Sequence, residues 1–224
     1  MSMLSNLDLI RRVSLFSMLT PLQAEALAVE VSKKRFKRGE VLMEQGKMSN
    51  ALYIVLAGRA RVVMTDSKGR EVILATLKTG DYMGEMSLID NEPHSASVVA
   101  DQQVDALVLG RDGFLHCLGE NMAVAYAVMH GLVQRLRSAD QKIGSLALMG
   151  VYGRVAMVLL DSAVMDDQDA LLIRDKVTRQ DIAKMVGASR EMVSRVMKDF
   201  EEQGFIQLLE GGVVRVHERR VLPR

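Results

Sequence analysis

The chain has 224 residues, which is enough for one large domain or two modest ones, each able to bury a hydrophobic core. Hydrophobic residues make up 49% and charged residues 25%, and no apolar run approaches the roughly 18 to 20 residues of a membrane helix, which excludes a disordered, fibrous or membrane-spanning chain. The formal net charge is +1, and 12 basic residues balance 12 acidic ones from residue 150 onward, so the overall charge favours no class of partner.

The N-terminal half alternates short β-rich runs with glycines. A helical stretch from about Pro21 to Ser32, with leucines and alanines at helical spacing, comes first. From about Phe36 to Leu109, runs such as LYIVLAG, RARVVMT, EVILATL and SASVVA are separated by glycine-containing turns. Short strands at this spacing are typical of an antiparallel sandwich or barrel.

The segment GEMSLIDNEPHSASVV, from Gly84 to Val99, has an unusual order of residues. A glycine and an acid lead into a short helical turn, a proline breaks it, and a strand follows. Backbone N–H groups left free at such a turn commonly bind phosphate. An arginine nearby would strengthen that interpretation, but His94 stands in the place where one is expected.

A long helix beginning near Asn121 carries the clearest periodic signal. Its apolar positions follow a 3-4-3-4 spacing, which defines the seam Met122, Ala125, Met129, Leu132, Leu136, Ala139, Ile143 and Leu146. Two interpretations are open: a core stripe packed against the β domain, or a two-chain coiled coil. Because the seam is narrow and regular over more than three heptads, we favour the coiled coil and hence a homodimer.

The C-terminal part predicts two short helices joined by a tight turn. Thr178 caps a helix through RQDIAKMV, with Asp181 as its capping-box partner. Gly187 breaks this helix, Ser189 caps the next one, and Gly204 closes it. FIQLLEGGVVRV then predicts two strands around a glycine turn, which is a hairpin or wing. Two helices with this connection are the helix-turn-helix design.

The outer face of the second helix has the chemistry needed to contact DNA. Arginine presents a planar fork to guanine and glutamate accepts from cytosine, so Arg190, Glu191 and Arg195 are candidates for reading base edges. Phosphate contacts fix the position of a protein on DNA without reading sequence. The remaining candidates for this surface are Thr178, Arg179, Gln180, Ser189, Ser194 and Lys198. The alternative is a helix with an ordinary solvated charged face.

These C-terminal helices, VTRQDIAKMVGASREMVSRVMKDFEEQGFI, resemble the DNA-binding helices of the catabolite activator protein and FNR (CRP/FNR) family of cyclic-nucleotide-responsive transcription regulators. Upstream, RGEVLMEQG, NALYIVLAGRARV, TGDYMGEMSLID and PHSASVVA resemble the sensor domain of that family in matching order. The resemblance implies an α+β protein. The resemblance further implies a cyclic-nucleotide-binding β-roll (jelly-roll) at 1–120, a dimerisation helix and hinge at 121–149, and a winged helix-turn-helix at 150–224.

The resemblance also implies a ligand site in the β-roll. Gly84 and Glu85 match the family residues that meet the nucleotide phosphate and ribose, Ser95 matches a serine beside the phosphate, and His94 replaces the phosphate-pairing arginine. The adjacent Met86, Ser87 and Ala96 complete this part of the expected site.

Ala139 and Asp140 replace the residues that contact adenine in the family. Because alanine cannot hydrogen-bond a base and a carboxylate only accepts, Asp140 suits the donor edge of guanine. Arg137, one turn away, adds charge or stacks on a base. We therefore favour a guanine cyclic nucleotide such as cyclic di-GMP over cAMP as effector. The alternative is a surface ion pair between Arg137 and Asp140 and a regulator of the same fold that senses no nucleotide.

Further expectations concern DNA, polymerase and allostery. The family match at the base-reading positions implies palindromic TGTGA-like half-sites about one helical turn, roughly 34 Å, apart, and RNA polymerase as a partner. A ligand in the β-roll would shift the long helix and reposition the DNA-reading helices, with Gly150 as the hinge.

Other functional classes fit poorly. A cupin-like metalloenzyme needs clustered histidines, whereas His94, His116, His130 and His217 are scattered. The single cysteine, Cys117, cannot form an internal disulfide or an iron–sulfur site. No nucleotide-hydrolase, kinase or serine-hydrolase motif is present, and the N-terminus lacks a signal-peptide pattern. We therefore expect a cytoplasmic protein that is not an enzyme, with no metal, no covalent cofactor and no membrane partner.

Overall fold

The computed structural model describes residues 5–166, 169–175 and 177–217. The helices are α1 (Asn6–Arg12), α2 (Pro21–Glu30), α3 (Glu85–Asp90), α4 (Arg111–Glu120), α5 (Met122–Leu148), α6 (Val151–Ser162), α7 (Arg179–Val186) and α8 (Arg190–Glu202). The strands are β1 (Val31–Phe36), β2 (Val41–Met43), β3 (Ala51–Ala57), β4 (Ala60–Thr65), β5 (Glu71–Leu77), β6 (Tyr82–Met83), β7 (Ser97–Ala100), β8 (Val104–Gly110), β9 (Val164–Met165), β10 (Leu171–Ile173), β11 (Ile206–Leu208) and β12 (Val214–Val216). Among these described helices, none is both long and apolar enough to cross a bilayer.

The chain divides into two compact units, Met1–Arg137 and Ser138–Arg224, and the division falls inside α5. The three-part division at 1–120, 121–149 and 150–224 stays a prediction.

The first unit is a β-roll made of two four-stranded antiparallel sheets. Their strand orders are β1-β8-β3-β6 and β2-β7-β4-β5. The strand β8 contributes to two apolar cores: Val104 and Ala106 pack with residues of both sheets, and Leu107 and Leu109 pack against helices. The second core takes in α1, α2, α4 and the start of α5, whose Val124 is fully buried. The expected antiparallel β domain and the α+β class are confirmed.

The start of the β-roll differs from the prediction. The helix α2 ends at Glu30, so Ser32 lies in a strand rather than a helix, and the first strand begins at Val31 instead of Phe36. Only the two ends of β1 are buried, and the SKKR run between them is exposed. A strand without apolar alternation cannot be recognised from its sequence, and its pairing with β8, from Val31↔Leu109 to Phe36↔Val104, forms only in the fold.

Helix α5 presents two apolar faces. Asn121 caps its start, because its side-chain oxygen accepts from the backbone N–H groups of Ala123 at 2.9 Å and Val124 at 3.2 Å. Val124 and Val128 pack into the β-roll, and among the seam residues Leu132 is half-buried there. The large side chains of the rest of the seam are between 52% and 79% exposed: Met122, Met129, Leu136, Ile143 and Leu146. The residues of α5 that pack into the core are therefore mainly different from those of the predicted seam.

The second unit contains α6, α7, α8 and a four-stranded antiparallel sheet of order β11-β12-β10-β9. Thr178 and Asp181 form the predicted capping box of α7, Gly187 ends that helix in the left-handed region, and Ser189 caps α8. Strands β11 and β12 form the predicted wing. Strands β9 and β10 were not predicted, because strands of two and three residues are too short for a periodic pattern.

Candidate functional site

The turn between β6 and α3 places an acid inside the β-roll. Gly84 has a φ of +96°, and a Cβ there would lie 2.6 Å from the carbonyl oxygen of Ala51, so only glycine fits. The chain then enters α3, and the side chain of its first residue, Glu85, is 1% exposed. The tight turn therefore directs a carboxylate into the protein.

Arg135 of α5 reaches this carboxylate. Its guanidinium group forms an ion pair with Glu85 and also donates to the backbone carbonyl oxygen of Tyr82. The same group lies 4.9 Å from the centre of the Tyr82 ring, within range of a cation–π contact. Burial raises the pKa of Glu85, and the positive charge of Arg135 opposes that rise. The other carboxylate oxygen, Oε2, is buried and accepts no hydrogen bond from any described residue.

Arg135 was missed in the sequence, although a signal for it exists. Val124, Val128, Gly131 and Arg135 follow a 4-3-4 spacing, which places them on the face of α5 that contacts the β-roll. At Gly131 the helix comes so close that a Cβ would lie 2.0 Å from the Tyr82 hydroxyl. Arg137 follows Arg135 by two residues, which is a rotation of roughly 200° around the helix axis. Arg137 therefore lies on a different face of α5 from the one that contacts the β-roll.

The two predicted ligand residues further along α5 are exposed. Neither Arg137 nor Asp140 makes an ion pair or hydrogen bond with any described residue. The alternative of an ion pair between them is therefore not what the structure shows. Their assignment to a ligand site stays a prediction.

His94 is held inside the β-roll by two serines. The side chain is 8% exposed, and its Nδ1 and Nε2 atoms lie 2.8 Å from Ser87 Oγ and 2.9 Å from Ser49 Oγ. Burial lowers the pKa of His94, which favours the neutral ring. Of the neighbouring predicted residues, Ser87 and Ala96 are buried, and Met86 and Ser95 are exposed. Ser49, 45 residues away in the sequence, had no signal that pointed to this network.

The predicted DNA-contacting residues of the second unit lie at the start of α7 and along α8, and most of them are exposed. The exposed residues are Thr178, Arg179, Gln180, Ser189, Arg190, Glu191, Arg195 and Lys198, and Ser194 is half-buried. The opposite face of α8, formed by Val193, Val196, Met197 and Phe200, is buried against α6 and α7. This apolar face fixes the rotation of α8 about its axis and so decides which side chains face solvent.

The two capping hydroxyls and Lys198 on this surface have defined partners. The hydroxyls of Thr178 and Ser189 accept backbone N–H groups at 3.1 and 3.2 Å, so both hold helix ends in place. Hydrogen bonding from its own backbone N–H and from Ser189 lowers the pKa of Glu191. Lys198 forms an ion pair with Glu202 at 3.5 Å.

Tyr152, in the first turn of α6, contacts α8 through both parts of its side chain. Its ring packs edge-on against Phe200 with centroids 5.9 Å apart, and its hydroxyl donates to the carboxylate of Asp199. Sequence reasoning did not identify this pair, because the two residues are 47 positions apart.

Comparison with known proteins agrees with this architecture. Residues 33–121 match the family model of a cyclic nucleotide-binding domain, and residues 153–224 match that of a Crp-like helix-turn-helix domain. A β-roll of the first kind followed by a DNA-binding domain of the second defines a ligand-responsive transcription regulator.

Relatives over nearly the whole chain narrow this class. The cyclic AMP receptor protein of Thermus thermophilus is 32% identical over 208 residues, covering 93% of this chain and 94% of the relative. A CRP-like cAMP-activated global transcriptional regulator of Mycobacterium tuberculosis is 29% identical over 220 residues, which cover 97% of this chain and 98% of the relative. The chain belongs to the CRP/FNR family of transcription regulators, as its motifs predicted.

A solved structure supports the same fold. The c-di-GMP responsive global regulator CLP of Xanthomonas campestris aligns with a TM-score of 0.75 at 22% identity, covering 89% of this chain and all of that one. The predicted order of β-roll, long helix and winged helix-turn-helix is confirmed.

Proposed function

We propose that this protein is a homodimeric regulator that binds palindromic DNA through α8 under the control of a nucleotide in the β-roll. The observation that carries the proposal is the exposed set Arg190, Glu191 and Arg195 on a helix whose other face is locked in the core. In this proposal these three side chains read base edges, and Arg179, Gln180 and Lys198 contact phosphates. The half-site resembles TGTGA, and RNA polymerase is the protein partner on the promoter.

The seam of α5 supports the dimer. Methionine, leucine and isoleucine side chains that are 52% to 79% exposed, repeated every three or four residues, form a stripe that a second copy of the helix can cover. A two-fold axis along this seam would place two copies of α8 in successive major grooves, about 34 Å apart.

The Glu85 and Arg135 pair supports a nucleotide in the β-roll. Glu85 Oε2 is a buried acceptor without a donor, which suits a ribose hydroxyl, and Arg135 is the nearby fixed cation. The relatives that are named as cAMP-activated suggest a cyclic nucleotide as effector.

The finer proposal is a guanine nucleotide such as cyclic di-GMP rather than cAMP. A neutral, hydrogen-bonded His94 offers less to a phosphate than an arginine would. Ala139 cannot hydrogen-bond a base, whereas the exposed, unpaired carboxylate of Asp140 accepts from the N1–H and N2–H groups of guanine.

DNA binding is tested with a mobility-shift assay on a palindromic TGTGA-type duplex. The wild type should bind it specifically, and Arg190→Ala should abolish that binding. Arg38→Ala, which removes an exposed arginine of the β-roll, is the matched control and should bind as the wild type does. Equal binding by Arg190→Ala and the wild type would contradict the assignment of α8.

Effector binding is tested by calorimetric titration with cAMP, cyclic GMP and cyclic di-GMP. We expect the largest affinity for a guanine nucleotide, and Asp140→Ala should remove that preference. Tighter binding of cAMP would overturn the guanine proposal, and no heat from any of the three would overturn the nucleotide sensor.

A further inference from the structure

We infer that Tyr152 is a positioning residue that holds the carboxylate of Asp199 away from Arg195, so that the Arg195 guanidinium stays free for DNA. The inference rests on the proposed function, in which Arg195 reads a base edge. It assigns a role to a side chain of α6, outside the two helices of the helix-turn-helix.

The contact is a hydroxyl–carboxylate hydrogen bond supported by ring packing. Tyr152 donates to Asp199 Oδ2, and its ring is fixed edge-on against Phe200, the next residue of α8. Donation to Asp199 is also the main cause of the raised pKa of the Tyr152 phenol, and the positive charge of Arg195 opposes the rise. Arg195 is therefore close enough to the pair to interact with it.

A pair of residues three positions further along α8 provides the comparison for Arg195 and Asp199. Lys198 and Glu202 are four residues apart, with the base before the acid, and they form an ion pair at 3.5 Å. Arg195 and Asp199 have the same spacing and the same order. Side chains at this spacing lie next to each other on a helix, so an acid and a base there can form an ion pair.

Arg195 and Asp199 nevertheless do not pair. Within the part of the chain that the structure describes, the guanidinium of Arg195 makes neither an ion pair nor a hydrogen bond. The Asp199 carboxylate is engaged by Tyr152 instead. The two base–acid pairs differ in residue type and in the burial of the acid, and only in the Arg195 and Asp199 pair is the acid contacted by a tyrosine.

Pairing would interfere with base reading in two ways. It would direct the guanidinium group of Arg195 along the helix instead of into the major groove. It would also place the Asp199 carboxylate beside this guanidinium, which must contact the electron-rich edge of guanine. An exposed ion pair of this spacing is weak, so releasing Asp199 should lower specific DNA affinity by roughly two- to fivefold. Non-specific binding, which depends mainly on phosphate contacts, should change less.

The decisive variant is Tyr152→Phe, which keeps the ring against Phe200 and removes only the hydroxyl. We expect a two- to fivefold weaker affinity for the palindromic duplex, measured by fluorescence anisotropy at fixed salt. The double variant Tyr152→Phe/Asp199→Asn should recover wild-type affinity, because asparagine cannot form the ion pair. In an Arg195→Ala background, Tyr152→Phe should have no further effect.

A second measurement uses the protein without DNA. The side-chain Nε–H of Arg195, observed by NMR, should exchange more slowly in Tyr152→Phe as the ion pair forms, and should return to the wild-type rate in the double variant. Unchanged exchange, or a double variant as weak on DNA as Tyr152→Phe, would overturn the inference. If exchange slows but DNA affinity does not change, the positioning role stands and the proposed base reading by Arg195 fails.

Discussion

Shortening one side chain of the α5 seam should weaken the proposed dimer by a calculable amount. Leu136 is 62% exposed and Ile143 is 64% exposed. Full burial of such a side chain contributes about 1.5–3 kcal/mol, so burying the exposed part contributes about 0.9–1.9 kcal/mol. Each substitution occurs twice in a dimer, which makes the loss for Leu136→Ala about 2–4 kcal/mol. At 1.4 kcal/mol per factor of ten, the Kd for dimerisation should rise roughly 30- to 700-fold.

The assay is sedimentation equilibrium over a dilution series. Alanine is the best helix former, so circular dichroism should show that α5 remains helical. Leu22→Ala on α2 is the matched control: Leu22 is 79% exposed, more than Leu136, but it lies outside the seam, so its loss should leave the Kd unchanged. An unchanged Kd for Leu136→Ala, or an equal change for Leu22→Ala, would refute the seam as the dimer interface.

Three further substitutions are tested by urea denaturation. Gly131→Ala drives a Cβ into the Tyr82 hydroxyl and should destabilise the protein by about 1–3 kcal/mol. Gly144→Ala on the same helix meets no atom within 4 Å and should stabilise it by about 0.5–1 kcal/mol; equal effects would contradict the close approach. Because burial lowers the pKa of His94, the unfolded chain takes up its proton first, so stability should fall as the pH drops below the ordinary value of 6.5. His94→Gln should flatten this dependence, and a slope equal to that of the wild type would show that another group causes it.

The DNA-binding half was largely readable from the sequence. The caps Thr178 and Ser189 and the break at Gly187 act on their own helix ends, so their residue types alone predicted where α7 and α8 begin and end. The apolar face of α8 follows the helical period, which made its outer face predictable too. Short or charged strands such as β1, β9 and β10 have no such local pattern, and they were mistaken or missed.

The β-roll site was predicted only in part. Gly84 and Glu85 were recognisable because the turn needs a glycine at a positive φ, but Arg135, which pairs with Glu85, was not predicted, and the arginine of α5 assigned to the ligand site was Arg137. Which of two arginines faces inward depends on how α5 rotates against the β-roll, and the close contact at Gly131 helps to fix that rotation.

The sequence by itself determined the ends of α7 and α8, the apolar periods and the residue types at the two sites, because these depend on neighbours within a turn or two of chain. Only the tertiary structure decided that Arg135 meets Glu85, that Ser49 meets His94 and that Tyr152 meets Asp199, contacts that join residues 50, 45 and 47 positions apart. Such pairs form when apolar cores bring distant segments together, and the burial that sets the pKa values of Glu85 and His94 exists only after that packing.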